Sequence, residues 1–209
     1  MSKRIIEILF NSPKVVNLSK TPNIEVQPGV FSPVYINLKS LLSVPKNRKV
    51  VVRSLVKLPL GDIDNICGIE SGGSYFASAV ADSLNKGLIL FRKNEKKYNI
   101  KNRFAGELPK KGSRILVVDD VISSGNTLAE AVTNLKENGY KVEVAVIFSY
   151  CWEKEIEKNL KTKIHVLSTA RELIEVGALN RKLKKGNINH IEGYIKNEEL
   201  RVYKKQKHD

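Results

Sequence analysis

Short apolar runs alternate with amphipathic segments along the middle of this chain. From residue 65 the apolar runs are NICGI, GLILF, RILVV and VEVAVIF, and the segments 75–85 and 127–138 between them have helical periodicity. Strand, helix and strand in that order indicate βαβ units with right-handed crossovers. The pattern therefore predicts an α/β fold in which a central, mostly parallel sheet is flanked by helices.

Both ends of the chain have a less regular pattern. Segment 4–10 fits a short helix, segment 46–58 fits a helix that covers the sheet, and segment 33–38 alternates like a strand. We expect FSPVYINLK, which includes this strand, to form part of a small hood. Near the other end, a strand at HVL leads into a helix over 169–176 with Thr169 as its cap. The residues beyond it are predicted to mix helix and strand.

Residues 116–127, LVVDDVISSGNT, combine a buried strand, an acidic pair and a small polar turn that leads into a helix. Backbone N–H groups of such a turn bind phosphate, together with the open donors and positive dipole end of the next helix. Asp119 and Asp120 would repel a bare phosphate, so we expect them to accept from hydroxyls or to help hold Mg2+. A phosphorylated sugar carries hydroxyls and phosphate together. The predicted phosphate cradle consists of Ser123, Ser124, Gly125, Asn126 and Thr127.

This motif of hydrophobic residues, DD, a small-residue turn and GxT resembles the phosphoribosyl-diphosphate (PRPP) signature of type I phosphoribosyltransferases. The alternative interpretation is an ordinary strand and loop of an α/β domain. Paired acids at a strand tip, followed by a small polar turn and a helix, are much rarer than paired acids alone. The resemblance therefore implies a type I phosphoribosyltransferase-like fold with a small N-terminal hood.

Two further segments follow strands and are expected at the same edge of the sheet, where parallel sheets bind ligands. Glu70, Ser71, Gly72 and Gly73 follow NICGI, and the glycines permit conformations that turn donors towards an anion. The segment RKNEKKYNIKNRFAGEL, residues 92–108, follows GLILF and is rich in Lys and Arg. A charge run of this type is usually a solvated loop. Its position favours a basic lid that excludes water from the reacting sugar.

The sequence is most similar to the orotate phosphoribosyltransferase family, over about residues 25–150. The matching segments are FSPVYINLK, CGIESGG, RKNEKK, GSRILVVDD and ISSGNT. The resemblance implies that Asp119 and Asp120 face the ribose hydroxyls of PRPP. It also implies that residues 123–127 wrap the 5-phosphate.

The same resemblance assigns the pyrophosphate group of PRPP. It implies that the loop at 70–73 binds pyrophosphate together with Arg92, Lys93 and Lys96. Arg92 and Lys96 are expected to act with the acidic pair as catalytic residues. Mg2+ is the implied cofactor, held mainly by PRPP, with no protein ligand assigned directly. In that family the lid reaches into the neighbouring subunit, which implies a homodimer.

Three positions differ from the pattern of that family. Tyr-Asn at 98–99 replaces the His-Gly of the lid pattern RKxxKxHG, and Gln-Pro-Gly at 27–29 replaces a Lys-Ser-Gly. Ser149 and Tyr150 stand where the family commonly has an Asp-Arg pair that helps to hold orotate. A neutral group replaces a bidentate Arg–carboxylate contact poorly. Tyr35 and Tyr150 are the candidate base-binding residues, although an aromatic cluster at a strand end is often core.

These motifs predict transfer of a 5-phosphoribosyl group from PRPP to a nucleobase with release of pyrophosphate, by an orotate phosphoribosyltransferase or a close homologue. A purine phosphoribosyltransferase, for adenine or a 6-oxopurine, is the alternative within the class, because the differences touch the base and lid positions. A non-catalytic PRPP or nucleotide sensor is the alternative from another class. Such regulators usually carry a separate DNA-reading module, and residues 1–23 leave little room for one.

Composition and charge set the remaining expectations. With 209 residues, 42% of them hydrophobic, the chain suits a single phosphoribosyltransferase domain. Its expected regions are the hood at 1–45, the PRPP-binding core at 46–168 and a basic extension at 169–209. The net charge of +14 attracts polyanions, but Lys-rich clusters near the C-terminus are more often solvated faces, so nucleic acid is not an expected partner. Short apolar runs predict a cytoplasmic protein without membrane contact.

Overall fold

The protein forms two compact units. The computed structural model describes residues 2–19, 24–27, 30–93, 103–150 and 153–205. One unit combines Met1–Asn47 with Ser168–Asp209, and the other is Arg48–Leu167. Lys96 and the sequence differences at 28–29 and 98–99 lie outside the described residues. The single domain and its region boundaries stay predictions.

The described residues form strands and helices in both units. In chain order the strands are β1 (Val16–Leu18), β2 (Ile24–Gln27), β3 (Val30–Ser32), β4 (Val34–Ile36), β5 (Asn65–Ile69), β6 (Gly87–Phe91), β7 (Phe104–Ala105), β8 (Arg114–Ile122), β9 (Lys141–Ser149) and β10 (Ile164–Thr169). The α-helices are α1 (Ser2–Asn11), α2 (Pro45–Val56), α3 (Gly72–Leu84), α4 (Asn126–Glu137), α5 (Glu153–Leu160), α6 (Ala170–Leu179) and α7 (Lys185–Lys205). A 3-10 helix spans Leu38–Ser43.

A six-stranded sheet organises the second unit, in the order β10-β9-β8-β5-β6-β7. β5 pairs in parallel with both β6 and β8, and β8 pairs in parallel with β9. β7 runs antiparallel against the end of β6. The prediction of an α/β fold with a mostly parallel sheet is confirmed.

The core of this unit explains why the apolar runs are continuous and not alternating. Parallel sheets bury both faces, and residues 115–118 of β8 are all fully buried. The helices that pack on the sheet bury one face each, with the spacing expected of an amphipathic helix. The buried residues are Phe76, Ala77, Val80 and Ala81 in α3, and Leu128, Ala131, Val132 and Leu135 in α4.

The first turns of α3 and α4 begin earlier than the sequence pattern indicates. α3 begins at Gly72 and α4 at Asn126, whereas the pattern places the helix starts at 75 and 127. Glycine and asparagine are poor helix formers, so a propensity argument assigns them to loops. The outcome matters for the site, because residues predicted in loops form the first turns of the two helices.

Two short elements of the second unit were not predicted. β7 contains two residues, Phe104 and Ala105. α5 has the sequence EKEIEKNL, in which only Ile156 and Leu160 are apolar. Two apolar residues in eight are too few for the helical period to be recognised. Both elements adjoin the candidate site.

Antiparallel strand pairs occur in the first unit where the hood is expected. β1 pairs with β4, and β2 pairs with β3. Val34 and Ile36 are buried while Tyr35 between them is 40% exposed, which confirms the alternation for this part of 33–38. The 3-10 helix follows this strand, so the predicted strand is too long by the residues after Ile36.

The C-terminal part of the first unit is helical. The prediction of a strand beyond 176 is wrong within the described residues, because α7 runs continuously to Lys205. Its isoleucines explain the helix: Ile188, Ile191 and Ile195 recur at intervals of three and four, and the last two are buried. Within the described residues, none of the helices has the length and apolar character needed to cross a membrane.

Thr169 caps α6 as predicted. Its hydroxyl oxygen accepts from the Glu172 backbone N–H, and the Glu172 carboxylate accepts from the Thr169 backbone N–H at 2.8 Å. This reciprocal pair of bonds is a capping box.

Replacement of Thr169 by Ala should lower the free energy of unfolding by about 1 kcal/mol, because it removes one acceptor from the first turn of α6. Urea denaturation followed by circular dichroism measures the change. Thr133→Ala is the matched control, since Thr133 is exposed in the middle of α4 and Ala is the better helix former there. Equal destabilisation by both substitutions would contradict the capping role.

Candidate active site

The acidic pair lies on β8 itself. The strand continues through both acids to Ile122, and Asp119 is in register with Val146 of β9. Asp119 Oδ1 accepts from the Asp120 backbone N–H at 2.8 Å, and Asp120 Oδ1 accepts from the Val121 N–H at 3.0 Å. Each carboxylate is therefore oriented by the main chain of the residue that follows it.

The first turn of α3 packs directly against these acids. A Cβ atom added to Gly72 would overlap the Asp120 carboxylate. At Gly73 it would lie 2.5 Å from the Val118 carbonyl oxygen and 2.9 Å from the Asp119 Cα. Both distances are shorter than real Cβ contacts allow. The glycines predicted to shape an anion loop are thus required by the close approach of α3 to β8.

The N-termini of α3 and α4 both present open donors near this edge of the sheet. Ser71 precedes α3 and Gly125 precedes α4, and neither makes a side-chain cap. Neither first turn contains an acidic residue. The first N–H groups of each helix and its positive dipole end are therefore suited to an anion.

Gly125 has a structural reason to be glycine. Its φ is +73°, in the left-handed region that glycine adopts at little cost. A Cβ added there would also overlap the Cδ1 atom of Ile156 in α5. Ser123 and Ser124 precede it in a bend between β8 and α4, and Ser124 is exposed. The predicted cradle is therefore a turn whose shape is fixed from one side by α5.

Arg92 lies beside the loop at 70–73. Its Nε atom is 3.6 Å from Glu70 Oε1, and the side chains are 23% and 39% exposed. The Glu70 backbone N–H donates to the Phe91 carbonyl at 2.9 Å, and the Glu70–Ser71 peptide bond is cis. Pairing of β5 with β6 thus brings Glu70 and Arg92 together, and Lys93 follows as an exposed residue.

The two candidate base-binding tyrosines differ in exposure. Tyr35 belongs to the first unit and is exposed. Tyr150 is only 6% exposed, and its ring makes an edge contact with Phe148 at 5.2 Å between centroids. The structure supports the core interpretation of this aromatic pair, and base binding by Tyr150 stays a prediction.

Glu153 contacts Ser149, and the sequence pattern does not single it out. It lies in the first turn of α5 and accepts from the buried Ser149 hydroxyl at 2.5 Å. The signal was weak because Glu153 lies in a short helix that is mostly charged. The position where the family commonly has an Asp-Arg pair is thus occupied by a buried hydroxyl bonded to a carboxylate.

A buried thiol lies one strand away from the acids. Burial raises the pKa of Cys67 to about 12, and the negative charge of Asp119 adds to this effect against a backbone hydrogen bond with Phe91 that lowers it. The thiol is protonated at neutral pH. Because the thiolate is the nucleophile and metal ligand, Cys67 serves neither role.

Known proteins are similar to this chain in sequence. Residues 57–177 match the family model described as "Phosphoribosyl transferase domain". The chain is 30% identical over 213 residues to an orotate phosphoribosyltransferase of Listeria monocytogenes, which covers 99% of this chain and 95% of the relative. It is 32% identical over 187 residues to one from Listeria innocua, covering 87% and 88%.

Solved structures support the fold. Leishmania donovani UMP synthase superimposes with a TM-score of 0.79 at 24% identity, over 94% of this chain and 42% of that chain. The orotate phosphoribosyltransferase from Aeropyrum pernix gives 0.71 at 23% identity, over 86% of this chain and 99% of its own. Fold and sequence together define a PRPP-dependent glycosyltransferase enzyme. The chain belongs to the phosphoribosyltransferase family.

Replacement of Gly72 by Ala should reduce turnover by about 100-fold or more, because the methyl group displaces α3 from the acids and small misplacements at an active site are costly. Pyrophosphate release from PRPP is the measurement. Gly186→Ala is the matched control, since a Cβ at that position meets nothing within 4 Å. Wild-type turnover by Gly72→Ala would show that the close approach is not needed.

Proposed function

We propose that this protein is an orotate phosphoribosyltransferase, which transfers the 5-phosphoribosyl group of PRPP to a ring nitrogen of orotate and releases pyrophosphate. One observation carries the proposal: the glycine turn of α3 packs on the paired acids of β8, beside the uncapped start of α4. The similarity over 99% of the chain to an enzyme of that name supports orotate as the acceptor.

The sugar and its phosphate are assigned to β8 and α4. Asp119 and Asp120 accept from the ribose hydroxyls, for which carboxylates are good partners. Residues 123–127 hold the 5-phosphate through backbone donors and the hydroxyls of Ser123, Ser124 and Thr127. The left-handed turn at Gly125 supports this role, because it leads directly into an uncapped helix N-terminus.

Pyrophosphate is assigned to the start of α3 and to the basic residues after β6. Ser71, Gly72 and Gly73 supply backbone donors, and Arg92 and Lys93 supply positive charge, with Lys96 as a further candidate. Glu70 acts indirectly in this proposal, because its carboxylate would repel pyrophosphate. Its contact with Arg92 orients the guanidinium.

Little covalent help from the protein is needed for the transfer. As the bond to pyrophosphate breaks, the ribose carbon becomes cation-like, and the negative charge of Asp119 and Asp120 favours that state. Positive groups at the start of α3 and at Arg92 favour departure of pyrophosphate. The binding sites on either side hold the reacting groups in line, which removes much of the entropic barrier.

The residues of the site suit Mg2+ as a cofactor. Within the part of the chain that the structure describes, no cluster of three or more His, Cys, Asp or Glu side chains could hold a metal ion. Mg2+ commonly binds through one or two carboxylates plus substrate phosphates and water, and the acidic pair fits that pattern. When bound, Mg2+ neutralises charge on the leaving pyrophosphate.

The proposal extends to the residues that contact orotate. Ser149 and Tyr150 are both buried and carry no positive charge, so a cation that pairs with the orotate carboxylate comes from elsewhere in the protein. The exposed ring of Tyr35 is a candidate face for the base. The proposal also includes a homodimer, which rests on the family resemblance, and a cytoplasmic location, which rests on the short apolar runs of the sequence.

Among nucleobases, orotate should be the one that supports turnover. The measurement is pyrophosphate release with PRPP, Mg2+ and each of orotate, adenine, hypoxanthine, guanine and uracil in turn, and omission of the base is the control. Turnover with a purine and not with orotate would instead establish purine salvage. Tight binding of PRPP without turnover on any base would point to a sensor.

Combined Asp119→Asn and Asp120→Asn substitutions should abolish turnover and leave the fold intact. The amides keep the oxygen atoms that accept from the Asp120 and Val121 N–H groups, but the charge that favours the cation-like ribose is lost. Initial rates and the circular dichroism spectrum are compared with those of wild type. Full activity in a correctly folded double variant would place the site elsewhere.

A further inference from the structure

We propose that Arg103 is a positioning residue that fixes the direction of Arg92 and Lys93 and thereby sets the affinity for the pyrophosphate part of PRPP. This inference rests on the proposed function, in which those two residues contact pyrophosphate. The sequence alone places Arg103 among the basic residues of the lid. Its contacts give it a different task.

Arg103 lies opposite Arg92 across a strand pair. β6 and β7 are antiparallel, with Phe91 in register with Phe104. One step further, the Arg92 backbone N–H donates to the Arg103 carbonyl at 2.8 Å. The main chains of the two arginines are therefore joined where β6 ends.

The Arg103 side chain reaches back to the same segment. Its Nε–H donates to the Arg92 carbonyl at 3.2 Å, and Nη2 donates to the Lys93 carbonyl at 2.7 Å. Because the peptide unit is planar, fixing a carbonyl fixes the whole peptide plane and limits the direction of the adjoining side chain. Two consecutive peptide planes at the predicted pyrophosphate-binding residues are thus held by one guanidinium.

The guanidinium is itself anchored on two sides. Nη2 forms an ion pair with Glu130 Oε2 at 2.7 Å, and the guanidinium carbon lies 4.6 Å from the centroid of the Phe91 ring. The Arg103 side chain is 20% exposed and the Glu130 side chain is 51% exposed, so the guanidinium is shielded from water mainly on the side of the buried Phe91 ring. A planar guanidinium has enough donors for all three oxygen partners, which a Lys ammonium cannot match in geometry.

Glu130 connects Arg103 to α4. It lies on α4, one turn beyond the Gly125 turn that is assigned to the 5-phosphate. Arg103 therefore ties the end of β6 to the helix that begins at the other end of PRPP. Its positive charge is matched by Glu130, so it serves to place Arg92 and Lys93 and not as a third pyrophosphate cation.

The test compares two ligands by isothermal titration calorimetry in the presence of Mg2+: PRPP, and ribose 5-phosphate, which lacks pyrophosphate. Arg103→Ala should weaken PRPP binding about tenfold, because two long side chains that are no longer held in position lose conformational freedom when they bind. Binding of ribose 5-phosphate should change by less than about twofold. Arg103→Lys should fall between wild type and Arg103→Ala for PRPP.

Lys136→Ala is the matched control on the same helix. Lys136 donates to the carbonyls of Leu160 and Lys161 at 2.6 and 2.9 Å, a similar task at the other end of α4. Its substitution should leave the affinities for both ligands unchanged. A further arm removes Arg92 and Lys93 together by Ala substitution, and in that background Arg103→Ala should weaken PRPP binding by less than about twofold.

Equal weakening of both ligands by Arg103→Ala, or no weakening of either, would overturn the positioning role. If Arg103→Ala does not fold, Glu130→Gln and Arg103→Lys supply the same comparison. The outcome is separable from the proposed function, because binding is read without a base. If the wild type turns over orotate and Arg103→Ala binds PRPP with unchanged affinity, the positioning role alone is wrong. If Arg103→Ala selectively loses PRPP affinity but the wild type does not turn over orotate, the choice of base is wrong.

Discussion

Close packing of the α3 glycine turn on β8 is the constraint on which the whole site depends. β5 and β8 are parallel neighbours, so the segments that follow them emerge at the same edge. Gly72 and Gly73 then let the start of α3 approach the backbone of β8 to a distance that any side chain would prevent. Anion donors and carboxylates, which would otherwise be separate features, become parts of one rigid arrangement.

Two arginines near the site each pair with a glutamate. Arg92 faces Glu70, and Arg103 faces Glu130, although the chain carries a net charge of +14. The Arg92 pair is the longer of the two, at 3.6 Å against 2.7 Å, and both of its side chains are partly exposed. Its interaction energy is therefore small, and an incoming anion can compete for the guanidinium. The Arg103 pair is shorter, and its guanidinium also donates to two carbonyls, which suits a fixed support.

The parallel strands of this molecule are predictable from its sequence, whereas features that depend on packing between distant residues are not. Continuous apolar runs define buried parallel strands, and DD followed by a small-residue turn predicts the phosphate site. Helix propensity misplaces the start of α3, because Gly72 is required by packing and not by helix formation. The partner of Arg103 is 27 residues away in sequence, and composition cannot distinguish a paired arginine from a solvated one.

Cys67 gives the enzyme a chemical property that none of its phosphate chemistry requires. Peroxides and disulfides react with the thiolate, and a group with a pKa near 12 supplies almost none at neutral pH. A sulfur atom next to the acidic strand is therefore no liability under oxidative stress. At this position cysteine behaves as a small hydrophobic residue of the core, and its packing beside the acidic strand does not depend on thiol chemistry.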